Sequence, residues 1–392
     1  MALKNNTWKL NQWYDQDVAG NVEYTSSFNN FYTWGENERG NLGQNIPTTT
    51  DKSSPTQIPG ATNWSSLGGG WYDTQCSGAV RSDGTMWTWG RNLRGSLGLN
   101  QAAGQLDNRS SPVQVTGTTW SQISVRQDNM MAVKTDGTLW GWGDAGGGET
   151  ANGLEGTPGM RSSPTQVPGT TWSSLGSHFG GWGCIKTDGT LWMWGKNSKG
   201  HLGQGNNVER SSPVQVPGTT WSKLSQVSNE IAVGAIKTDA TLWVWGENEY
   251  GGLGQNEPTN TNYSSPKQIP GSWSHVNTQY NSSGVKTDGT LWWWGNNEYG
   301  QGGQNNVVQY SSPVQIGSGT DWSTSVSSFS NTFAAKTDGT LWVMGRNEKG
   351  VLGLNQSIPT MFSSPVQIPG FSGNKLTISS ISTNAFAVLE QL

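Results

Sequence analysis

The feature that most constrains this chain is a unit of about fifty residues that recurs seven times. A Trp-Gly pair or a close variant ends at positions 49 to 55 residues apart, namely Gly35, Gly90, Gly143, Gly195, Gly246, Gly295 and Gly345. Such a period means that one small structural unit is built many times, as in solenoids and propellers. The units leave no room for a linker, so we expect a single domain over residues 1–392.

Six of the seven units contain a Thr-Asp-Gly-Thr segment or a close variant between two apolar runs, which is a strong hairpin signal. The six copies carry Asp83, Asp136, Asp188, Asp239, Asp288 and Asp338. We expect both central residues to adopt a positive φ. Ala240 replaces the glycine in one copy, and its side chain is expected to strain that turn by about 1 kcal/mol.

The segment after the turn, L-W-x-W-G, has the alternation of a β-strand. Trp292 and Trp294 share one face of their strand because alternate residues point to opposite sides. Leucine and a mostly apolar residue share the other face, so the strand is expected to be buried on both sides. A blade of a β-propeller provides this environment, whereas an open solenoid also needs polar caps. Trp293, the third tryptophan in this run, is expected to fill space beside a smaller neighbour.

The two ends of the chain look like parts of one blade. The segment 382–389 parallels residues 329–336, which form the strand before an Asp-Gly turn, and residues 31–35 resemble the strand after such a turn. Joining the two ends predicts an all-β, seven-bladed propeller closed by N- and C-terminal strands. Residues 20–27 could fill the same closing position, and the sequence leaves this alternative open.

The unit T-D-G-T-L-W-x-W-G-x-N-x-x-G-x-L-G resembles the repeat of the regulator of chromosome condensation family. The copies beginning at Trp34, Trp89 and Trp194 match it closely. The resemblance implies a seven-bladed propeller that binds partners through one face. Family members include a nucleotide exchange factor for a Ran-type GTPase, a plant ultraviolet-B photoreceptor and secreted β-lactamase inhibitors. The near-identical linkers resemble versions in bacteria and their tailed viruses.

The bulk properties exclude several classes of partner. Only 13% of the residues are charged and the net charge is −4, so the chain offers no basic surface for nucleic acid. It has no apolar run of membrane-spanning length, and its N-terminus lacks the apolar core of a secretory signal peptide. Cys76 and Cys184 lie in different repeats and are expected to be free, buried thiols.

No residue pattern indicates catalysis, a cofactor or a metal site. The hairpin turns account for the repeated aspartates, which lack the spacing of a calcium loop. His201 and His275 occupy positions that vary between repeats and are expected to lie at the surface. His178, six residues before Cys184, could form a nucleophilic pair with it, but no supporting motif is present. We therefore expect a protein that is not an enzyme.

Candidate binding residues are sought where the repeats differ. Trp71, Tyr72 and Trp182 lie in glycine-rich approaches to strands, where aromatic rings could either reach a surface or pack between blades. The third repeat replaces the usual loop with WGDAGGGETANGLEGTPGMR, which contains Asp144, Glu149 and Glu155. This segment is either a degenerate loop or a specialised contact loop.

These observations predict a non-catalytic propeller that serves as a protein-protein interaction module or a structural scaffold. A tail, fibre or capsid component of a phage virion is one such role, with a virion or cytoplasmic location. The alternatives are a secreted inhibitor or a carbohydrate-binding propeller, and a guanine nucleotide exchange factor for a small GTPase. A protein is the expected partner and a glycan the alternative.

Overall fold

The computed structural model describes residues 29–60, 63–68, 75–101, 107–126, 128–151, 153, 160–178, 180–225, 232–356, 360–372, 375–382 and 385–391. Within these ranges, 28 strands form seven antiparallel sheets of four strands each, which confirms the predicted all-β propeller. Each sheet is one blade.

The strands follow one another blade by blade. Blade 1 begins with β1 (Asn29–Gly35) and β2 (Lys52–Gln57). Blade 2 contains β3 (Trp64–Gly68), β4 (Cys76–Arg81), β5 (Met86–Gly90) and β6 (Arg109–Val115). Blade 3 contains β7 (Trp120–Arg126), β8 (Asn129–Lys134), β9 (Leu139–Gly143) and β10 (Arg161–Val167). Blade 4 contains β11 (Trp172–His178), β12 (Gly181–Lys186), β13 (Leu191–Gly195) and β14 (Arg210–Gln215).

The second half of the ring repeats this arrangement. Blade 5 contains β15 (Trp221–Leu224), β16 (Ala232–Lys237), β17 (Leu242–Gly246) and β18 (Tyr263–Ile269). Blade 6 contains β19 (Trp273–Asn277), β20 (Asn281–Lys286), β21 (Leu291–Gly295) and β22 (Tyr310–Gln315). Blade 7 contains β23 (Trp322–Ser327), β24 (Asn331–Lys336), β25 (Leu341–Asn347) and β26 (Thr360–Ile368), and β27 (Lys375–Ser382) and β28 (Ala385–Gln391) complete blade 1.

The first strand of each blade lies nearest the centre of the ring, since β3 contacts β7, β7 contacts β11, and β27 contacts β3. A Trp-Ser pair begins six of these inner strands, and the serine sits at a register shift. In blade 2, for example, Trp64 pairs with Arg81 and Ser66 with Val80, and the intervening Ser65 donates its hydroxyl to the Val80 carbonyl at 3.1 Å. The repeated serine is thus explained by a β-bulge.

The Asp-Gly turns differ from the expected type. Gly84 has a left-handed φ of 80°, but Asp83 does not have a positive φ. The Gly84 N–H donates to the Arg81 carbonyl, and the Arg81 N–H donates to the Thr85 carbonyl. This is the pattern of a type I turn followed by one left-handed residue, so the prediction of two left-handed residues was wrong. Ala240 is left-handed, with a φ of 64°.

The ring closes through strands from both ends of the chain, as predicted. β28 pairs with β1 on one side and with β27 on the other. The tail therefore fills the closing position, and residues 20–27 lie outside the described residues. The register of the tail differs by one residue from the predicted alignment of 382–389 with 329–336. Ala385 pairs with Gly35 and so takes the place that Asn331, which pairs with Gly345, has in blade 7. Glu390 consequently takes the place of Lys336.

Packing explains the register of the closing strand. Phe386 and Val388 join Trp34 and Phe333 in the core between blades 7 and 1. Leu389 faces the opposite side, in the core with Trp64 of blade 2. A shift of one residue would exchange these faces and turn the large side chains of β28 to the wrong cores.

In six of the seven blades, the tryptophan of the Trp-Gly pair links neighbouring blades. Trp245, for example, is fully buried and donates its indole N–H to the His201 carbonyl of blade 4 at 2.7 Å. Five other blades repeat this bond through Trp34, Trp89, Trp142, Trp194 and Trp294. In blade 7, Met344 occupies the position, so the junction between blades 6 and 7 lacks an indole donor.

Trp293 fills space, as expected from the sequence. Its ring is fully buried and packs over Gly302, where a Cβ would lie 2.8 Å from the ring. Five other repeats have leucine at the position of Gly302, for example Leu253. Blade 6 therefore combines the large Trp293 with the small Gly302, whereas blade 5 combines the smaller Val244 with the larger Leu253.

Candidate functional site: an aromatic patch on the loop face

The propeller has two chemically distinct faces. The turn face carries the Asp-Gly turns. The loop face lies at the opposite ends of the strands and carries the W-G-x-N-x-x-G loops and the connections between the first and second strands of the blades.

On the turn face, a cation lies between two tryptophans in each of six blades. In blade 6, Lys286 Nζ lies 3.6 Å from the ring centre of Trp292 and 5.2 Å from that of Trp273. Trp292 donates its indole N–H to the Thr290 hydroxyl, which donates to Asp288. The other blades place Arg81, Lys134, Lys186, Lys237 and Lys336 in the same way.

Hydrogen bonding and burial shift the pKa values of this unit. The side-chain and backbone hydrogen bonds from Thr290 lower the pKa of Asp288. Burial lowers the pKa of Lys286, which Asp288 partly counteracts. This group of a cation, two tryptophans, a threonine and an aspartate recurs with each hairpin. Its repetition is therefore explained by the stability of the blade and needs no binding partner.

Blade 1 breaks this rule. Leu376, Glu390 and Tyr32 stand where other blades have tryptophan, a cation and tryptophan. The Tyr32 hydroxyl donates to Glu390 at 3.3 Å. Burial, followed by the charge of Glu390, raises the pKa of Tyr32.

The aromatic residues singled out from the sequence are not found at a described surface. Trp182 is fully buried in a core with Met131 and Ala151 of blade 3, so its ring packs between blades and cannot contact a partner. Trp71 and Tyr72 lie outside the described residues. Trp182 is therefore not a binding residue, and of the two alternatives left open by the sequence, packing between blades is the one that the structure shows.

The two acidic residues of the third-repeat loop that the structure describes, Glu149 and Asp144, lie beside arginines. Glu149 is 6% exposed, accepts a hydrogen bond from the Gly147 N–H at 2.6 Å and lies 3.8 Å from the guanidinium of Arg126. Asp144 is partly exposed and lies 3.6 Å from Arg94. Glu155 lies outside the described residues. A nearly buried carboxylate beside an arginine fixes the junction of strands and loop, and it is not available at a surface.

The third-repeat loop is not degenerate over its described part. The Gly148 N–H donates to the Ala145 carbonyl and the Ala151 N–H to the Gly148 carbonyl, as at the matching positions of blade 4. Trp194 donates to the Glu149 carbonyl, which is the usual bond between blades. The altered sequence keeps the backbone path of the other repeats through Ala151.

The histidines are buried more deeply than expected. His201 is fully buried and stacks on His178, with ring centres 5.9 Å apart. Its assignment as a surface residue was wrong because the variable position points between blades. His275 is half-buried, with Nε2 2.7 Å from the Ser325 carbonyl, and burial lowers its pKa to about 4.

Both cysteines are free and buried, as expected. Burial raises the pKa of the Cys184 thiol to about 12 and also raises that of Cys76. Their thiolates are therefore disfavoured as nucleophiles. Among the described residues, no three His, Cys, Asp or Glu side chains are grouped to hold a metal. No helix in the same part of the chain is long and apolar enough to cross a membrane.

The loop face carries a non-repeated cluster of aromatic residues across blades 5 to 7, which we call the aromatic patch. It consists of Tyr250, Tyr280, Tyr299, Phe329 and Arg346, all of them half-buried. Tyr280 lies between Tyr250 at 5.7 Å and Phe329 at 5.3 Å, measured between ring centres. Tyr299 lies 6.4 Å from Phe329, and the Arg346 guanidinium lies 5.1 Å from the Tyr299 ring.

Hydrogen bonds hold the backbone beneath the aromatic patch. Asn281 donates its amide to the Ser328 carbonyl at 2.8 Å, and Gln301 donates to the Phe329 carbonyl at 3.3 Å. The Gln301 side chain also accepts from the Tyr299 N–H at 2.8 Å. The rings are thus carried by loops that are fixed to neighbouring strands, which lowers the entropy lost on binding.

The sequence analysis missed these residues because it looked for binding residues mainly among the tryptophans that depart from the repeat. The position that could have revealed them is the one directly before the glycine of N-x-x-G. This residue is basic at Arg39, Arg94, Lys199 and Lys349, but it is Tyr250 in blade 5 and Tyr299 in blade 6. Tyr280 and Phe329 come from other loops, and only the fold brings them beside the two tyrosines.

Comparison with known proteins supports the assignment of the repeat. The family model described as "Regulator of chromosome condensation (RCC1) repeat" matches residues 30–75, 83–133, 188–228, 239–284 and 338–383, which together are more than half of the chain. The Ultraviolet-B receptor UVR8 of Arabidopsis thaliana is 28% identical over 205 residues. That alignment covers 49% of this chain and 43% of the receptor, so it spans less than half of that relative.

Solved structures show the same fold. Prp20p from Saccharomyces cerevisiae, described with its binding to Gsp1p and histones, superposes with a TM-score of 0.77 at 16% identity, covering 96% of this chain and 94% of that one. Human WBSCR16 gives a TM-score of 0.77 at 17% identity, covering 93% and 100% of the two chains. Seven sheets, the repeat motif and the matched family model together show that this chain belongs to the regulator of chromosome condensation repeat family.

Proposed function

We propose that this protein is a non-catalytic binding propeller whose aromatic patch contacts a protein partner. The observation that carries the proposal is the contiguous set of Tyr250, Tyr280, Phe329, Tyr299 and Arg346 on one face. Tyrosine and arginine are enriched at the energetic centres of protein interfaces. The rest of the repeat chemistry is explained by the fold.

Two further observations support this role. The aromatic residues depart from the repeat, whereas the inter-blade contacts keep it, so the fold alone does not require them. The family relationship points the same way, since Prp20p is described as binding Gsp1p and histones and has been solved with Kap60 bound.

Site-specific photo-crosslinking tests the proposal. A photoreactive amino acid replaces Tyr299, and in a matched variant it replaces Lys199, which has the same loop position in blade 4. A third variant carries it at Asp136 on the turn face. In extracts of the source organism, we expect a specific protein adduct from position 299 alone. Equal adducts from all three positions, or none from position 299, would contradict the proposal.

The identity of the adduct distinguishes the finer roles. A tail, fibre or capsid protein would support a phage structural component, and a small GTPase would support nucleotide exchange. A secreted enzyme would support an inhibitor. A glycan array on the same protein tests the carbohydrate-binding alternative.

A further inference from the structure

We infer that the aromatic patch recognises a basic peptide segment, with an arginine or lysine side chain seated between the rings and two carboxylates. This inference rests on the proposed function and names the chemistry of its partner. It is carried by the charges around the patch, which differ from those of the other blades.

Two carboxylates flank the aromatic rings without a basic partner. Glu249 is half-buried and Glu298 is exposed. In the part of the chain that the structure describes, neither has a lysine or arginine within 4.0 Å. Both act on the Tyr250 hydroxyl, whose pKa is raised by burial first and then by Glu249 and Glu298. A negative potential therefore covers the Tyr250 side of the patch.

The cations near the patch are already neutralised by acids of this chain. Arg346 lies 3.2 Å from Glu348. Lys349 lies 3.9 Å from Glu36 and 3.8 Å from Asp51 of blade 1. Among the described charged residues around the patch, Glu249 and Glu298 are not balanced by a close ion pair, and their charges favour a cationic ligand and oppose an acidic or phosphorylated one.

The rings supply the second half of the recognition. A guanidinium or ammonium group is attracted to the face of an aromatic ring within about 6 Å. This chain already uses the interaction on the patch itself, where Arg346 lies over Tyr299. Tyr250 carries the hydroxyl on which both carboxylates act, and its ring lies 5.7 Å from that of Tyr280, so the carboxylates adjoin the row of rings. A basic side chain can thus contact an aromatic face and a carboxylate together.

In their described residues, the blades outside this region do not combine an unpaired glutamate with a neighbouring aromatic ring in this loop. Blade 1 has an equivalent glutamate, Glu38, but Arg39 follows it and Gln75 donates to its carboxylate at 3.0 Å. Blade 4 has Ser198 and Lys199 at the two positions. Only blades 5 and 6 have the sequence Glu-Tyr-Gly in this loop, at residues 249–251 and 298–300. Glu38 therefore provides a matched control.

The test measures binding of three labelled peptides that share a glycine-serine sequence. They carry two arginines, two citrullines or two glutamates at the same positions. Citrulline keeps the shape of arginine and removes its charge. Fluorescence anisotropy gives the Kd of each peptide for the full chain and for Glu298→Gln, Phe329→Ala and Glu38→Gln.

We expect the arginine peptide to bind, and the citrulline and glutamate peptides to bind at least about tenfold more weakly. Glu298→Gln and Phe329→Ala should each weaken the arginine peptide by about three- to tenfold. Glu38→Gln should leave its Kd unchanged. Raising the salt from about 50 mM to about 300 mM should weaken binding.

Equal binding of the arginine and citrulline peptides, no binding of either, or tighter binding of the glutamate peptide would overturn the inference. So would equal effects of Glu298→Gln and Glu38→Gln. If the peptides fail while position 299 still forms a specific crosslink, the patch binds a partner of other chemistry. If both experiments fail, the proposed function fails with the inference. Circular dichroism of each variant confirms that the propeller is folded.

Discussion

The turn face and the loop face of the propeller are built from the same repeats but differ in what they repeat. On the turn face, six blades have a cation between two tryptophans above an Asp-Gly hairpin. On the loop face, within the residues that the structure describes, a cluster of aromatic rings lies over blades 5 to 7. A contact present in nearly every blade is explained by the stability of blades. A contact confined to one sector needs another cause, and binding is the cause proposed here.

The largest effect is expected on the turn face. Trp273→Ala removes a fully buried ring that packs edge to face with Trp292 and Trp294. We expect the free energy of unfolding to fall by about 3–5 kcal/mol. Urea denaturation measures this change, and Trp292→Ala is the control, since that ring is partly exposed and should cost less. An equal loss of stability in both variants would show that the burial of a tryptophan does not determine how much it stabilises the blade.

A gain of stability is expected at the one irregular hairpin. Ala240→Gly removes a Cβ from a left-handed residue and should raise the free energy of unfolding by about 1 kcal/mol. The reverse change, Gly189→Ala, introduces a left-handed alanine at a similar turn, where its Cβ would lie 3.1 Å from the Thr220 nitrogen. Thermal melting should move upward in the first variant and downward in the second. A lower melting temperature for Ala240→Gly would contradict the claim that the left-handed Ala240 strains its turn.

Acid should lower the stability of the fold through the aspartates of the turn face. The pKa values of Asp136, Asp188 and Asp288 are lowered in the folded chain by hydrogen bonds from the threonine two residues later. A carboxyl whose folded pKa is lowered stabilises the fold above its unfolded pKa of about 3.9, and this stabilisation is lost as the pH falls through the folded value. Replacing the three aspartates with asparagine should therefore flatten the fall of stability below about pH 4. An unchanged slope in acid urea titrations would show that these turns do not take up the protons.

The smallest effect on stability is expected on the loop face. Tyr299→Ala removes a half-buried ring from the aromatic patch and should change the free energy of unfolding by no more than about 0.5 kcal/mol. Binding of the arginine peptide should weaken in the same variant, whereas Trp292→Ala should leave it unchanged while folded. A large loss of stability in Tyr299→Ala would make the patch a structural element and remove the contrast between the faces.

The repeated positions could be predicted because period and alternation specify them. Trp292 and Trp294 on one strand, Ala240 at a positive φ and Trp293 beside a small residue all follow from spacing. The register of β28 could not, since a segment of small apolar residues fits two registers, and the packing of Phe386 selects one. The turn type was missed because Asp-Gly suits more than one hairpin.

The candidate site was less accessible to sequence reasoning. Trp182 is unusual in the sequence, yet the interior uses it to fill a core between blades. Tyr280 and Phe329 are ordinary in the sequence and meet only because loops of successive blades converge. Rarity of a residue type is thus a poor guide to exposure in a propeller, since irregular residues often compensate for one another inside.

The pairing of the closing strands has a mechanical consequence. In the antiparallel pair of β1 and β28, the first residue of β1, Asn29, lies opposite the last residue of β28, Gln391. A force that pulls these two residues apart would load the hydrogen bonds one after another from one end, like opening a zipper. Blade 1 should therefore open at a lower force than the other six blades. Tension between Asn29 and Gln391 would then separate β1 from β28 while the aromatic patch across blades 5 to 7 stays assembled.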